Sequence, residues 1–249
     1  VVGEGANLAL TQRARIELAR RGGRLDTDFI DNSAGVNSSD QEVNIKIALR
    51  PAEERGELDA EARVALLASM TEDVAASCLA NNHQQSLALS LAERKGAAGL
   101  GDLKVLMRAL EARGLVDRRL EALPRDGELA ERAATGAGLT RPELAVLLSY
   151  AKIALASDVL ASDLPDEPAL APLLAAYFPP ALRDRYRADI AAHRLRREIV
   201  TTSLVNTIIN RGGPAFAASL VESTGRPAAD IAPAAIAASQ ELALTELRA

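Results

Sequence analysis

The sequence has little of what several classes of protein require. Cys78 is the one cysteine in 249 residues, so no disulfide can form within the chain, which favours a reducing compartment such as the cytoplasm. Tryptophan is absent and aromatic residues make up 2% of the chain. The core must therefore be built from Ala, Leu, Val and Ile, and the abundance of Ala and Leu favours close packing of helices.

An excess of positive charge and a long apolar run are also missing. The formal net charge is −5, whereas a general nucleic-acid binder needs a basic surface to displace counterions from phosphates. The longest apolar run, LAVLLSYAKIALA, is interrupted by Lys152 and is shorter than the roughly 20 residues that a membrane span needs. We therefore predict neither a nucleic-acid partner nor a membrane partner.

The first part of the chain reads as alternating strands and helices. Val pairs and aromatic or branched residues predict short strands at residues 1–2 and 29–30. Thr11 is placed to cap a helix that ends before a Gly pair, and Ser38 or Ser39 is placed to cap a second one. The order strand, helix, strand, helix is typical of a parallel sheet. Because the sequence opens directly into a strand end, we expect further residues upstream of it.

The remainder of the chain has helical periodicity throughout. Helix starts are predicted at positions such as Thr140, with Glu143 completing a capping box. Helix stops are predicted at Gly114, at residues 81–82 (both Asn) and at residues 212–213 (both Gly). We therefore divide the chain into a small α/β remnant at residues 1–52 and an all-helical domain at residues 53–249, which makes the fold mainly α.

Two polar bends are candidate binding sites. In DNSAGVNSSDQEVNIKIAL, residues 31–49, small side chains would let a ligand approach the backbone, and Asn32 offers the donor and acceptor that a carboxamide requires. Ser39, near the predicted helix start, adds a hydroxyl where an anion is favoured. In VVGEGANLALTQ, Asn7 follows a Gly-x-Gly turn and could face a ligand. Taken singly, each bend is better explained as a capped turn or as a residue holding its loop than as a binding site.

Other reactive side chains have simpler interpretations. The Arg-rich segment at residues 183–198 also contains acidic residues, so we interpret it as a salt-bridged, solvated helix face. His83 and His193 lie far apart with no cysteine at ligand spacing, and we predict no metal site. Cys78 lies in an Ala-rich helix and is interpreted as a small buried apolar residue.

The two bends together resemble the glutamate dehydrogenase family. VVGEGANLALTQRARIELA followed by DFIDNSAGVNSSDQEVNIKI is similar to the large NAD-specific bacterial enzymes. Three later segments, LTRPELAVLLSYAKIALASDVL, YFPPALRDRY and HRLRREIVTTSLVNTIINRGG, resemble the C-terminal region of the same enzymes. The resemblance covers nearly the whole chain and implies that residues 1–52 end a Rossmann-like NAD domain.

The resemblance also implies roles for individual residues. Asn7 would lie beside the nicotinamide of NAD, and Asn32 would bind its carboxamide. Val36 would pack on the aliphatic part of glutamate, and Ser39 would bind its side-chain carboxylate. The catalytic lysine and aspartate and the glycine-rich phosphate loop have no counterpart in this sequence, so no catalytic residue is predicted here.

The function implied is part of an oxidoreductase that converts L-glutamate to 2-oxoglutarate and ammonia with NAD. We expect the chain alone to be inactive, and the full-length enzyme to be a cytoplasmic homo-oligomer. The alternative, from another functional class, is that residues 53–249 form a helical interaction, regulatory or assembly module of a larger protein. No convergent catalytic groups are evident in these helices, which favours a structural role for them.

Overall fold

The computed structural model of the chain describes residues 1–241, and its described part is built from helices and loops. Short 3₁₀ turns occur at Gly96–Gly99, Leu164–Asp166 and Pro168–Leu170. The predicted helical domain extends to residue 249, and residues 242–249 lie outside the described part. The α-helices, in chain order, are α1 (Gln12–Arg20), α2 (Asp28–Asp31), α3 (Ser33–Glu54), α4 (Ala60–Ser69), α5 (Thr71–Lys95), α6 (Leu100–Ala112), α7 (Asp126–Ala134), α8 (Arg141–Leu160), α9 (Ala171–Tyr177), α10 (Pro180–Arg183), α11 (Arg187–Ala191), α12 (Arg196–Gly212), α13 (Phe216–Thr224) and α14 (Ala228–Glu241).

The mainly α fold is confirmed, but the predicted α/β remnant is not visible, because residues 1–241 contain no β-strand. Phe29 and Ile30 lie in α2. Val2 is extended, and its N–H donates to the carbonyl of Arg24 at 2.8 Å. A strand is stabilised by a ladder of such bonds along a neighbouring strand, and this one backbone bond does not make a ladder.

Two helix boundaries also differ from the sequence prediction. Helix α3 begins at Ser33, so Ser38 and Ser39 lie inside it. Helix α5 continues through residues 81–82, where a stop was predicted. In both helices a buried face packs against neighbouring helices, and this packing outweighs the weak helix propensity of Gly, Ser and Asn.

The predictions that depend on local chemistry are confirmed. The Thr11 hydroxyl accepts from the N–H of Ala14 at 3.2 Å and caps α1. At the start of α8 the Glu143 carboxylate accepts from the N–H of Thr140 at 2.7 Å, which completes the capping box. Gly114 follows the end of α6 with a φ of 66°, a conformation that favours glycine.

One hydrophobic core joins the helices from α2 to α14. Helix α8 runs through its centre, where Leu147 and Leu148 are fully buried, and α5 and α12 pack against it. The apolar side chains of the C-terminal half of α3, including Ile45 and Leu49, belong to the same core. The division of the chain at residue 53 falls within α3 and stays a prediction. In the described part, none of the helices has the length and hydropathy needed to cross a bilayer.

Candidate functional site

The structure brings the two predicted asparagines together. The side-chain N–H of Asn32, at the junction of α2 and α3, donates to the side-chain oxygen of Asn7. Asn7 is exposed and Asn32 is partly exposed. Among the described residues, the Asn7 Nδ2 group and the Asn32 Oδ1 atom have no other partner, so the pair presents one donor and one acceptor side by side.

A buried ionic cluster holds the loop that carries Asn7. The Arg15 guanidinium on α1 contacts the Glu4 carboxylate at 2.5 Å and the Asp28 carboxylate at 3.1 Å. Glu4, Arg15 and Asp28 are all buried. The hydrogen bonds that Arg15 donates to the Glu4 carboxylate raise the pKa of Arg15 above its ordinary value, so the guanidinium stays charged. A buried charge is tolerated because it is paired and hydrogen-bonded.

The carboxylates of α2 also bind the backbone of this loop. Asp31 accepts from the N–H of Glu4 at 2.8 Å, and Asp28 accepts from the N–H of Leu8 at 2.8 Å. Leu8 has a φ of 58°, a conformation that is uncommon for a leucine and that its bond to Asp28 helps to hold. Burial raises the pKa of Asp31 above its usual range. Sequence reasoning missed this network, although two Asp residues three positions apart on one turn were a visible signal.

Val36 and Ser39 lie on the same face of α3 as Asn32. Positions i, i+4 and i+7 of a helix share a face, and Val36 and Ser39 are both exposed there. The prediction that Ser39 lies near a helix start is wrong, because α3 begins at Ser33. The backbone N–H groups left free by the helix belong to its first turn, so Ser39 would bind an anion through its hydroxyl alone.

A chain of polar contacts extends from the start of α3 into the helical core. The Ser33 hydroxyl donates to the side-chain oxygen of Asn82, and the amide of the buried Gln85 donates to Ser33 at 3.5 Å. The Lys152 ammonium on α8 donates to the Gln85 side-chain oxygen at 3.2 Å. Burial lowers the pKa of Lys152 to about 8. This lysine was not singled out from the sequence, where it only interrupts an apolar run.

The remaining candidates have structural surroundings. His193 is buried, its Nε2 atom lies 3.2 Å from the carbonyl of Asn44, and burial lowers its pKa. Cys78 is buried, as interpreted from the sequence, and burial raises the pKa of its thiol. Residues 1–241 contain no group of three His, Cys, Asp or Glu side chains arranged to hold a metal ion.

The Arg-rich segment is salt-bridged, as predicted. Arg196 and Arg197 both contact the Asp166 carboxylate, and Asp189 accepts from Arg55 at 2.9 Å. These pairs are largely at the surface, where each contributes little to stability.

Two protein-family models match successive parts of the chain. Bacterial NAD-glutamate dehydrogenase, catalytic domain, matches residues 1–92, and Glutamate dehydrogenase, C-terminal, matches residues 136–249. The NAD-specific glutamate dehydrogenase of Halomonas elongata is 47% identical over 99% of this chain. The enzymes of the same name from Pseudomonas aeruginosa and Mycobacterium tuberculosis are 48% and 44% identical over 93% and 90% of it. The chain belongs to the bacterial NAD-specific glutamate dehydrogenase family.

The chain spans 14–15% of the length of these glutamate dehydrogenases. Its match to the catalytic-domain model includes the predicted site residues Asn7, Asn32, Val36 and Ser39. The resemblance stated from the sequence motifs is thereby confirmed, whereas the roles of these four residues stay predictions.

Proposed function

We propose that this chain forms part of an NAD-dependent enzyme that oxidatively deaminates L-glutamate to 2-oxoglutarate and ammonia. Its contribution would be one wall of the site, orienting the nicotinamide of NAD and the substrate. The pairing of Asn7 with Asn32 supports this role most directly, because it places two amides together within the part that matches a glutamate dehydrogenase catalytic domain.

The asparagine pair fits the nicotinamide end of NAD. A carboxamide has one acceptor oxygen and an N–H₂ donor, which complement Asn7 Nδ2 and Asn32 Oδ1. When bound, NAD supplies the hydride acceptor, and the protein supplies orientation. The sequence contains no Gly-x-Gly-x-x-Gly loop, so these residues fit the nicotinamide and not the phosphates.

The exposed face of α3 would bind the substrate. Val36 is 64% exposed and offers an apolar surface for the methylene groups of glutamate. Ser39, one turn further on the same face, would donate its hydroxyl to the side-chain carboxylate. Both side chains are held by a helix whose C-terminal half is packed in the core.

Asn32→Ala and Asn7→Ala in the full-length enzyme test the cofactor role. Each removes one amide contact, so we expect KM for NAD to rise by about 5–10-fold, in line with about 1 kcal/mol per hydrogen bond. ADP-ribose, which lacks the nicotinamide, provides the control, and its inhibition constant should not change. An unchanged KM, or equal weakening of NAD and ADP-ribose, would show that the asparagines do not contact the nicotinamide.

We also propose that the helices of residues 53–249 support assembly of the enzyme into a homo-oligomer. Large apolar side chains are exposed on them, including Val64, Leu79 and Ile153 at 64%, 68% and 54%. Light scattering on the 249-residue chain should then give a mass above that of a monomer, and Ile153→Asp should lower it. A monodisperse monomer at high concentration would argue against assembly through this part of the enzyme.

A further inference from the structure

The side chain of Asn32 is not used to cap a helix. Asn32 is the residue after α2 and the residue before α3, and its side chain makes no capping hydrogen bond to either helix. It is therefore free to pair with Asn7. The backbone N–H of Asn32 donates to the carbonyl of Asp28 at 2.9 Å, which ties it to α2. What holds it on the side of α3 must come from the residues that follow.

The next residue, Ser33, is bonded to a different helix. A serine inside a helix often bonds to a carbonyl of the preceding turn, as Ser38 does to Gly35 at 3.0 Å. The Ser33 hydroxyl instead donates to the side-chain oxygen of Asn82 on α5, and among the described residues it has no partner in its own helix. This contact ties the residue beside Asn32 to α5.

A second side chain of α5 meets the same hydroxyl. Gln85 lies three positions after Asn82, on the same face of α5, and is buried. Its amide donates to Ser33 at 3.5 Å, which is a long hydrogen bond. The hydroxyl thus accepts from one residue and donates to the other, which fixes its rotation. Because α5 packs against both α2 and α3, Ser33 lies where three helices meet.

Lys152 determines which way the Gln85 amide points. An ammonium can only donate, and that of Lys152 donates to the Gln85 side-chain oxygen at 3.2 Å. The Gln85 N–H₂ group then faces Ser33, and Ser33 directs its hydrogen to Asn82. All three hydrogen bonds run in the same direction along the chain of side chains, an arrangement in which each bond polarises the next.

We propose that Ser33 is a positioning residue for Asn32. Its two contacts with α5 hold the backbone at the start of α3, and this fixes the direction in which the adjacent asparagine presents its side-chain oxygen. The asparagine then needs no ordering when the nicotinamide of NAD binds, which lowers the free-energy cost of binding. This role rests on the proposed function, since it concerns the same nicotinamide site.

The side-chain amide signals of Asn7 report on this positioning without any cofactor. Asn82→Leu replaces the acceptor of the Ser33 hydroxyl by an apolar group of similar size, and it should shift the Asn7 signals in the ¹⁵N-labelled 249-residue chain. Asn82→Asp keeps an acceptor oxygen and should leave them near their wild-type positions. Asn7 and Asn82 are not bonded to each other, so the effect must pass through Ser33 and Asn32. Equal shifts from both substitutions, or none from Asn82→Leu, would overturn the proposal.

Calorimetric titration of the full-length enzyme with NAD measures the consequence for binding. Ser33→Ala should weaken NAD binding by about 2–5-fold, the cost of ordering one side chain on binding, while ADP-ribose binding stays the same. Ser33→Thr keeps a hydroxyl and should restore the wild-type affinity. Ser38→Ala removes a hydroxyl that bonds within α3, so it is the matched control and should have no effect. Equal weakening by Ser33→Ala and Ser38→Ala would contradict a specific role for Ser33.

Asn32→Ala separates a failure of this role from a failure of the proposed function. In the Asn32→Ala background, Ser33→Ala should have no further effect, because no side-chain amide is left to position. If Asn32→Ala weakens NAD binding and Ser33→Ala does not, the asparagine contacts the nicotinamide and only the positioning role of Ser33 is overturned. If Asn32→Ala itself has no effect, the proposed function of the asparagine pair is overturned together with it.

Discussion

At the residue scale, Lys152 is a partly buried charged group on α8 with a neutral partner. Its ammonium donates to Gln85, and it has no carboxylate within ion-pair distance among the side chains that the structure describes. Burial disfavours the charged form, which is why its pKa falls to about 8. The folded protein therefore holds this proton less tightly than the unfolded chain, where the pKa is about 10.4.

Lys152→Met should stabilise the chain near neutral pH. The wild type is charged in both states there, and burying the charge costs it up to about 3 kcal/mol. Between about pH 8 and pH 10.4 the unfolded state binds more protons, so the stability of the wild type rises and its deficit relative to the variant shrinks. Urea unfolding at several pH values measures this. Lys46→Met, at an exposed lysine, is the control, and a Lys152→Met effect independent of pH would contradict the burial of a charge.

At the element scale, the loop carrying Asn7 depends on one arginine of α1. Arg15→Met would leave the carboxylates of Glu4 and Asp28 buried without their cation. We expect a loss of about 3–5 kcal/mol in the free energy of unfolding, as for other buried pairs that lose one partner. The backbone N–H groups of Leu8 and Leu10, which donate to these carboxylates, should exchange with solvent faster.

Arg21→Met provides the matched control for this change. Arg21 pairs with Glu17 on the exposed side of the same helix, where both side chains are more than half exposed. We expect a change below about 0.5 kcal/mol and normal exchange at Leu8. Similar losses from both substitutions would mean that the buried cluster does not hold the loop.

The same elements show how far the sequence could be interpreted. The caps at Thr11 and Thr140 were predictable, because each depends on residues within one helical turn. The strand predicted at residues 29–30 was wrong. The carboxylates of Asp28 and Asp31, which flank this pair, bind the backbone of the loop that carries Asn7, and the short helix α2 positions both of them. The two asparagines of the candidate site were predicted from the sequence motifs that contain them. The contacts between Glu4 and Arg15, and from Lys152 to Gln85, join different helices or loops and leave no periodic signal.

At the scale of the whole molecule, the proposed function gives this chain one wall of a site and not the reacting groups. Helices α2 to α14 share one hydrophobic core, so we expect the 249-residue chain to fold. Mixed with L-glutamate and NAD, it should form no NADH that absorbance can detect, because the phosphate loop and the substrate-activating lysine are not in the sequence. Turnover by the folded chain would contradict the prediction that the reacting groups lie outside this chain. Circular dichroism of the same sample would exclude unfolding as the cause of inactivity.

In the proposed site, the amide pair would also bear on which dinucleotide is accepted. Because Asn32 directs its N–H₂ toward Asn7, the atom it turns outward is an oxygen. The deamidated form of NAD carries nicotinic acid in place of nicotinamide. Its carboxylate has no N–H to donate and would be repelled by the side-chain oxygen of Asn32. Discrimination between the two cofactors, which differ by an amino group, would thus follow from the direction of a single asparagine side chain.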